Sequence, residues 1–312
     1  MLGSGKPVSE EGLKKTLIAG AIAAEARDYG ASLVKPGSSA REVCEEVESL
    51  IVKRGARPAF PCNFSINEVA AHYTPGISDD VRVPDKAVVK VDVGASVDGY
   101  LADTAVSVVV GDDEGLRALA ESAKEALDAV IAIMAPNVRI YDIGKAIERA
   151  VAGRGFRPVK NLTGHTMSRY LLHAGESIPN FADRSTFYRR LRPPVLVAVE
   201  PFSTSGRGLV VDAPRAFIYS ATGREPKGAS EASRSLLDYI LKRFNTLPFA
   251  VRWLYPEWKE SEISRALDEL TRLKALVKYP VLVEASGAPV AQFEHTFFVD
   301  KDKVIVTTRA ER

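Results

Sequence analysis

The sequence predicts an α+β fold built from two similar halves, with a mainly helical insertion in the second half. Three observations lead to this prediction. A helix-and-turn motif recurs 100 positions further along the chain, strand-like runs with an acidic residue follow each copy, and two amphipathic helices separate the last two runs. We therefore expect one domain formed by residues 1–207 and 284–312, and an insertion subdomain over residues 208–283.

Each half is predicted to begin with a pair of helices. In the first half, Ser39 and Glu42 have the spacing of a capping box at the start of an amphipathic run in residues 38–58. Residues 139–158 repeat its apolar spacing. A preceding helix is predicted over residues 9–34 and again over 113–134, and the dipeptides Arg54-Gly55 and Arg57-Pro58 return as Arg154-Gly155 and Arg157-Pro158.

Two strand-like runs follow each helix pair, and every run contains one acid. The runs are residues 87–94 with Asp92, 100–110 with Asp103, 195–202 with Glu200 and 289–299 with Glu294. Asp98-Gly99 joins the first two runs and is a strong signal for a two-residue hairpin loop. In that hairpin, Asp92 and Asp103 lie on the same face as diagonal neighbours, about 7–8 Å apart. The repeat predicts an equivalent pair of Glu200 and Glu294.

Four acids directed inward among Val and Ala indicate a site for divalent ions. Such burial is costly unless cations offset the lost hydration. The alternative is a solvated strand face, but the run of residues 87–94 is rich in Val and is expected to be buried on both faces. His165, which follows Gly164, is the fifth candidate ligand. Oxygen ligands with a single imidazole suit Mn²⁺, Fe²⁺, Co²⁺ or Zn²⁺, and the sequence does not select one of them.

The insertion is predicted from two apolar stripes, and the composition limits the remaining possibilities. Helices are expected over residues 231–244 and 261–279.

A net charge of +2 favours neither nucleic acid nor an anionic membrane as partner, and no apolar run approaches bilayer length. Cys44 and Cys62 form no CxxC motif, so we expect no thiolate site and a cytoplasmic location.

Five stretches resemble the sequential motifs of the methionine aminopeptidases, and together they extend over nearly the whole chain. They are residues 60–76, 90–105, 164–175, 198–208 and 291–296. The resemblance implies the pita-bread fold and two metal ions held by five ligands: Asp92, Asp103, His165, Glu200 and Glu294. The insertion resembles that of the type II class, and the short segment before the first helix resembles the archaeal form.

The resemblance also implies roles for the side chains. Asp103 and Glu294 would bridge the two ions, Glu200 would also carry the proton to the leaving amine, and His173 would donate to the developing oxyanion. His72 would contact the scissile amide. The pocket for the Met side chain would consist of Phe60, Leu172 and Tyr279.

Two other functions remain open at this point. An aminopeptidase P or prolidase would use the same ligands, although such enzymes usually carry a large additional N-terminal domain and only about 37 residues precede the first repeat here. A metal-free pita-bread protein that binds the ribosome or RNA is the second alternative, and the presence of all five ligands argues against it. We expect a monomer that acts on the N-terminal Met of peptides and nascent chains with a small second residue. Among partners, the ribosome is a candidate, and binding to membranes or to specific nucleic acids is not expected.

Overall fold

The structure is a computed structural model that describes residues 9–309. Within them, the α-helices are α1 (Glu10–Ser32), α2 (Ala40–Lys53), α3 (Glu114–Ile133), α4 (Ile140–Gly153), α5 (Glu231–Phe244) and α6 (Glu260–Arg272). The strands are β1 (Arg57–Ile66), β2 (Val69–Ala71), β3 (Ala87–Val97), β4 (Tyr100–Val110), β5 (Arg157–Pro158), β6 (Thr163–Met167), β7 (Ser177–Pro179), β8 (Val195–Val199), β9 (Phe202–Thr204), β10 (Val210–Ala221), β11 (Phe249–Ala250), β12 (Leu276–Glu284), β13 (Val290–Gln292), β14 (His295–Val299) and β15 (Val304–Val306). Two 3₁₀ turns cover Arg184–Thr186 and Val251–Leu254.

The predicted repeat of two helix pairs is confirmed. Helices α1 and α2 pack on β3 and β4 in the first half, and α3 and α4 pack on β8 and β14 in the second. One ion pair joins the helices of each pair at equivalent positions. Arg54 Nε lies 2.8 Å from Glu25 Oε2, and Arg154 Nε lies 2.7 Å from Glu125 Oε2. Both members of the second pair are 100 positions beyond those of the first, so the repeat extends to side-chain contacts.

The predicted N-cap at Ser39 is confirmed, but the second bond of a capping box, from the Ser39 backbone N–H to the Glu42 side chain, is not formed in the described residues. Ser39 is the N-cap of α2, and its hydroxyl accepts the backbone N–H of Glu42. At the start of α3, the Asp113 carboxylate accepts the backbone N–H of Leu116. These bonds satisfy amides that have no partner within the first turn of a helix. The capped helices set the outer layer against which the acidic strands pack.

The predicted hairpin register is confirmed in the first half. Asp92 pairs with Ala105 and Asp103 with Gly94, as a two-residue loop at Asp98-Gly99 requires. Both loop residues have positive φ, of 50° and 82°, which an Asp-Gly sequence tolerates. The two aspartates are therefore diagonal neighbours on one face of the sheet.

The second half differs from the predicted strands at its two acids. The run 195–202 divides into β8 and β9 around Glu200, and the run 289–299 divides into β13 and β14 around Glu294. The pairs β8–β14 and β9–β13 share one register, which places Glu294 directly opposite Glu200 rather than diagonally. Glu294 instead exchanges backbone hydrogen bonds with Ala105 of β4, and this cross-half pairing interrupts the regular ladder.

The segment 208–283 contains both predicted helices and additional strands. Helix α5 matches its predicted range, whereas α6 ends at Arg272 instead of 279 because Lys274 adopts a positive φ of 59° and β12 follows. Strands β10 and β12 form an antiparallel pair that continues through β12 to β2 of the first half. Helices α5 and α6 cover this pair around their own apolar cluster. No helix among residues 9–309 is long and apolar enough to cross a membrane.

Candidate metal centre and substrate pocket

The junction of the two halves brings the predicted ligands together. His165 Nε2 lies 3.5 Å from Asp103 Oδ2 and 3.9 Å from Glu200 Oε1. The ligand atoms of Asp103, His165 and Glu294 all lie within 4.8 Å of one another. These three residues are almost fully buried. Strand β6 supplies His165 through its pairing with β8, and the pairing of Glu294 with Ala105 supplies the third ligand.

Hydrogen bonds across the two halves fix the backbone around this cluster. Thr296 accepts the backbone N–H of Asp103 at 2.8 Å and donates to its carbonyl oxygen at 2.8 Å. The Thr104 hydroxyl donates to the carbonyl oxygen of Glu294 at 2.8 Å. Because these bonds join β4 to residues 294–296, they fix the positions of the Asp103 and Glu294 backbones relative to each other.

The electrostatics of the site favour a bound cation. Burial raises the pKa of Asp92 to about 7, and burial together with the neighbouring carboxylates raises the pKa of Asp103, Glu200 and Glu294 well above their usual range. Burial lowers the pKa of His165 to about 3, so its imidazole is neutral at pH 7 and has a free lone pair for a metal. The site thus concentrates negative charge that only a cation or protonation can offset.

Unpartnered oxygen atoms provide a direct test of whether these residues fit metal ions. Asp92 Oδ1, Asp103 Oδ1 and Glu294 Oε1 are buried without a hydrogen-bond partner among the described residues. Buried carboxylate oxygens normally have a hydrogen-bond partner. Three unpaired oxygens in one place therefore indicate a site that binds cations. The donor set of carboxylates and one imidazole fits divalent transition metals.

Gln292 is a site residue that the sequence analysis did not identify. It is 1% exposed, and its Nε2 donates to Glu294 Oε2 at 3.2 Å and to Glu200 Oε2 at 3.4 Å. The signal was its position two residues before Glu294, which places both side chains on one strand face. Gln292 orients the two glutamates toward the same centre.

His72, His173 and Tyr279 lie on one side of the cluster. The ring of His173 lies 4.4 Å from that of His165 and 6.2 Å from that of Tyr279, between ring centroids. The ring of His72 lies 5.5 Å from Tyr279 in an edge-on arrangement. His72 Nδ1 is 3.2 Å from the carbonyl oxygen of Pro280, and burial lowers the pKa of its imidazole to about 4.

Phe60 and Leu172 share an apolar cluster next to the proposed metal ligands. A Cβ on Gly94, beside Asp103 in the hairpin register, would overlap the Phe60 ring, so glycine is required there. The cluster also contains Leu247 of the 208–283 segment, which the sequence analysis did not include. Tyr279 is outside the cluster and lies against the histidines instead. His295, which follows Glu294, bonds Thr308 Oγ1 through Nδ1 at 2.9 Å, in agreement with a structural role.

Comparison with known proteins defines the class of this fold and site. The sequence profile of metallopeptidase family M24 matches residues 14–229. The chain therefore belongs to family M24, and it has the α+β pita-bread fold of that family. A structure of a thermophilic Arx1 aligns with 96% of this chain and 91% of its own, with a TM-score of 0.86; at 18% identity this likeness concerns the fold alone.

Sequence relatives place the chain more narrowly. It is 46% identical to the methionine aminopeptidase of Pyrococcus horikoshii over 294 residues, which cover 94% of this chain and 98% of that protein. It is 42% identical to the methionine aminopeptidase of Saccharolobus solfataricus, with coverage of 97% and 100%. The chain belongs to the methionine aminopeptidase family, in agreement with the resemblance of its motifs to the archaeal form.

Proposed function

We propose that this protein removes the N-terminal Met from polypeptides whose second residue is small, with the help of two divalent metal ions. The observation that supports this most directly is the convergence of the buried Asp103, His165 and Glu294, with Glu200 beside His165, next to an apolar cluster. The membership of the chain in the methionine aminopeptidase family supports the same reaction.

The five proposed ligands would be shared between two ions. Asp103 and Glu294 would contact both ions, Asp92 would complete one site, and His165 with Glu200 would complete the other. When bound, two divalent ions lower the pKa of a bound water and offset the charge that develops on the substrate carbonyl. Gln292 would hold Glu200 and Glu294 in position through the two hydrogen bonds from its amide.

Glu200, His72 and His173 would transfer the proton and form the hydrogen bonds that the reaction needs. Glu200 is the least buried of the proposed glutamate ligands, with 16% of its side chain exposed, and we assign it the transfer of a proton to the leaving amine. His72 donates from Nδ1 to the Pro280 carbonyl, since a carbonyl oxygen only accepts. A neutral His72 therefore presents Nε2 as an acceptor for the N–H of the scissile amide. His173, on the open side of the site, would donate to the carbonyl oxygen of the substrate.

We also propose a division of labour along the chain. Residues 1–207 and 284–312 would form the catalytic domain, and residues 208–283 would form an insertion subdomain that closes the pocket. Leu247 in the cluster of Phe60 and the position of Tyr279 beside both histidines support this role. The resemblance of this insertion to that of the type II class would place the chain in that class.

Hydrolysis of a Met-Ala-Ser peptide during metal titration tests the proposal. We expect no activity after chelation, and recovery as about two equivalents of Mn²⁺, Fe²⁺, Co²⁺ or Zn²⁺ bind, while circular dichroism shows that the fold persists. Activity that survives exhaustive metal removal would contradict the metal mechanism. Preference for X-Pro peptides over Met-Ala peptides would move the assignment to an aminopeptidase P.

Replacement of Tyr279 tests the role of the insertion in substrate binding. Tyr279→Ala is expected to raise KM about tenfold with unchanged metal content, because it removes ground-state contacts worth about 1.4 kcal/mol. Tyr279→Phe, which retains the ring and loses only the bond to Ser220 Oγ, should stay close to wild type. Tyr188→Ala is the matched control, since Tyr188 is 91% exposed. Wild-type kinetics in Tyr279→Ala would remove this residue from the pocket.

A further inference from the structure

A buried ion pair joins the 208–283 segment to the first half of the protein. Arg252, in the 3₁₀ turn, pairs with Glu48 of α2, and each residue is only 8% exposed. The Glu48 carboxylate also accepts the backbone N–H of Cys62 at 3.0 Å and the indole N–H of Trp253 at 2.9 Å. Such additional hydrogen bonds are what a buried ion pair needs to offset its lost hydration. They hold the guanidinium group in one orientation.

The other side of the guanidinium group faces the chain segment that follows His72. Arg252 Nη1 donates to Thr74 Oγ1 at 2.6 Å and to the carbonyl oxygen of Pro75 at 3.3 Å. Thr74 is fully buried and stands two positions after His72. The backbone of His72 has a φ of 63°, a conformation that a residue with a Cβ retains only when its surroundings impose it.

The 208–283 segment also contacts His72 and the residue before it. Ala71, at the end of β2, pairs with Leu282 on β12, and the carbonyl oxygen of Pro280 on the same strand binds His72 Nδ1. The segment therefore holds this part of the chain before His72, at its ring and after it. Only the last of these contacts depends on a charged side chain.

We infer that Arg252 is a positioning residue for the reaction, and that it acts through Thr74 and Pro75 to keep His72 in its productive orientation. The inference rests on the proposed contact between His72 and the scissile amide. The 208–283 segment would then have a second role besides lining the pocket. Arg252 is fixed by Glu48 of α2, and its bonds to Thr74 and Pro75 would in turn fix the position of His72. Contacts that fix a catalytic group are expected to affect turnover when they loosen.

Thr74→Val is the sharpest test, because it removes the shorter of the two hydrogen bonds from Arg252 Nη1 with little change in shape and leaves the Glu48 pair intact. We expect kcat for Met-Ala-Ser to fall about tenfold, as the loss of one hydrogen bond to a charged group allows, with metal content unchanged. Thr74→Ser retains the hydroxyl and should recover most of the activity. Thr222→Val is the matched control: the Thr222 hydroxyl donates to the Lys274 carbonyl at 2.8 Å, a hydrogen bond within the same segment that involves neither His72 nor Arg252. It should lower the melting temperature and leave kcat at the wild-type value.

A double-mutant cycle with His72→Ala shows whether the effect passes through His72. If it does, Thr74→Val causes no further loss of kcat in the His72→Ala background. An equal loss in both backgrounds, or a lower melting temperature with wild-type kcat, overturns the inference. Wild-type kcat in His72→Ala also overturns it, while the proposed aminopeptidase activity stands, because that activity is measured by hydrolysis in the wild-type protein itself.

Discussion

Asp103→Asn is expected to lower kcat/KM at least about 10³-fold, which corresponds to the loss of roughly 4 kcal/mol of transition-state stabilisation by the metal site. The physical reason is that Asp103 lies at the centre of the cluster, 3.5 Å from His165 and within 4.8 Å of the ligand atom of Glu294. Asparagine has the same shape but cannot supply the charge that holds two cations. Elemental analysis should therefore show fewer bound ions per chain as well.

The same substitution is expected to stabilise the metal-free protein. Burial and the neighbouring Asp92 raise the pKa of Asp103, so the carboxylate is unfavourable in the folded protein without metal. A neutral amide removes this repulsion, and the melting temperature after chelation should rise relative to wild type. A Glu294→Gln variant should act in the same direction. Asp112→Asn, at an exposed position, is the control in which metal content, rate and stability stay unchanged.

The raised pKa values also fix the pH dependence of the metal-free protein. Asp92 ionises near pH 7 in the folded protein and near pH 4 in the unfolded chain, so the folded state binds the proton more tightly. This stabilisation is complete below about pH 4 and is lost as the pH rises through about 7. Melting temperatures of the chelated protein should fall over that interval. An increase over the same interval would contradict the burial of unpaired carboxyl groups.

His173→Ala is expected to lower kcat by about 10²–10³-fold, or roughly 3–4 kcal/mol, because a donor to the substrate oxygen strengthens its bond as negative charge develops. The ring of His173 lies 4.4 Å from that of the proposed ligand His165, on the open side of the site. Since the His173 side chain reaches solvent, its truncation should change the free energy of unfolding by less than about 0.5 kcal/mol.

His295→Ala provides the contrast for this prediction. His295 bonds Thr308 and is partly buried away from the cluster, so its loss should lower the melting temperature and leave the kcat of the folded fraction near normal. Both variants are compared at equal metal occupancy. If His173→Ala is instead destabilised and retains wild-type kcat, the catalytic role of His173 is wrong.

Helices and turns that are set by interactions between residues close together in the sequence could be predicted from the sequence alone. The Asp98-Gly99 loop fixes the register of β3 and β4, because only a tight turn fits two residues, and this placed Asp92 and Asp103 correctly. Helices α1 to α4 follow from apolar spacing and from caps such as Ser39. The repeat of these local signals predicted a fold of two similar halves, and the motifs around the acids and histidines indicated the family.

Contacts between distant segments were decided only by the tertiary structure. Glu294 interrupts its strand where it pairs with Ala105 of the other half, an interaction that no local pattern records. Gln292, Leu247 and Arg252 gain their roles from partners that are far away along the chain. The first four residues of β12, 276–279, fall within the range predicted as a helix, and the pairing of β12 with β10 and β2 outweighs that weak helical preference. Local chemistry therefore selects the elements, whereas the free energy of long-range packing and pairing decides where they end and which side chains they bring to the site.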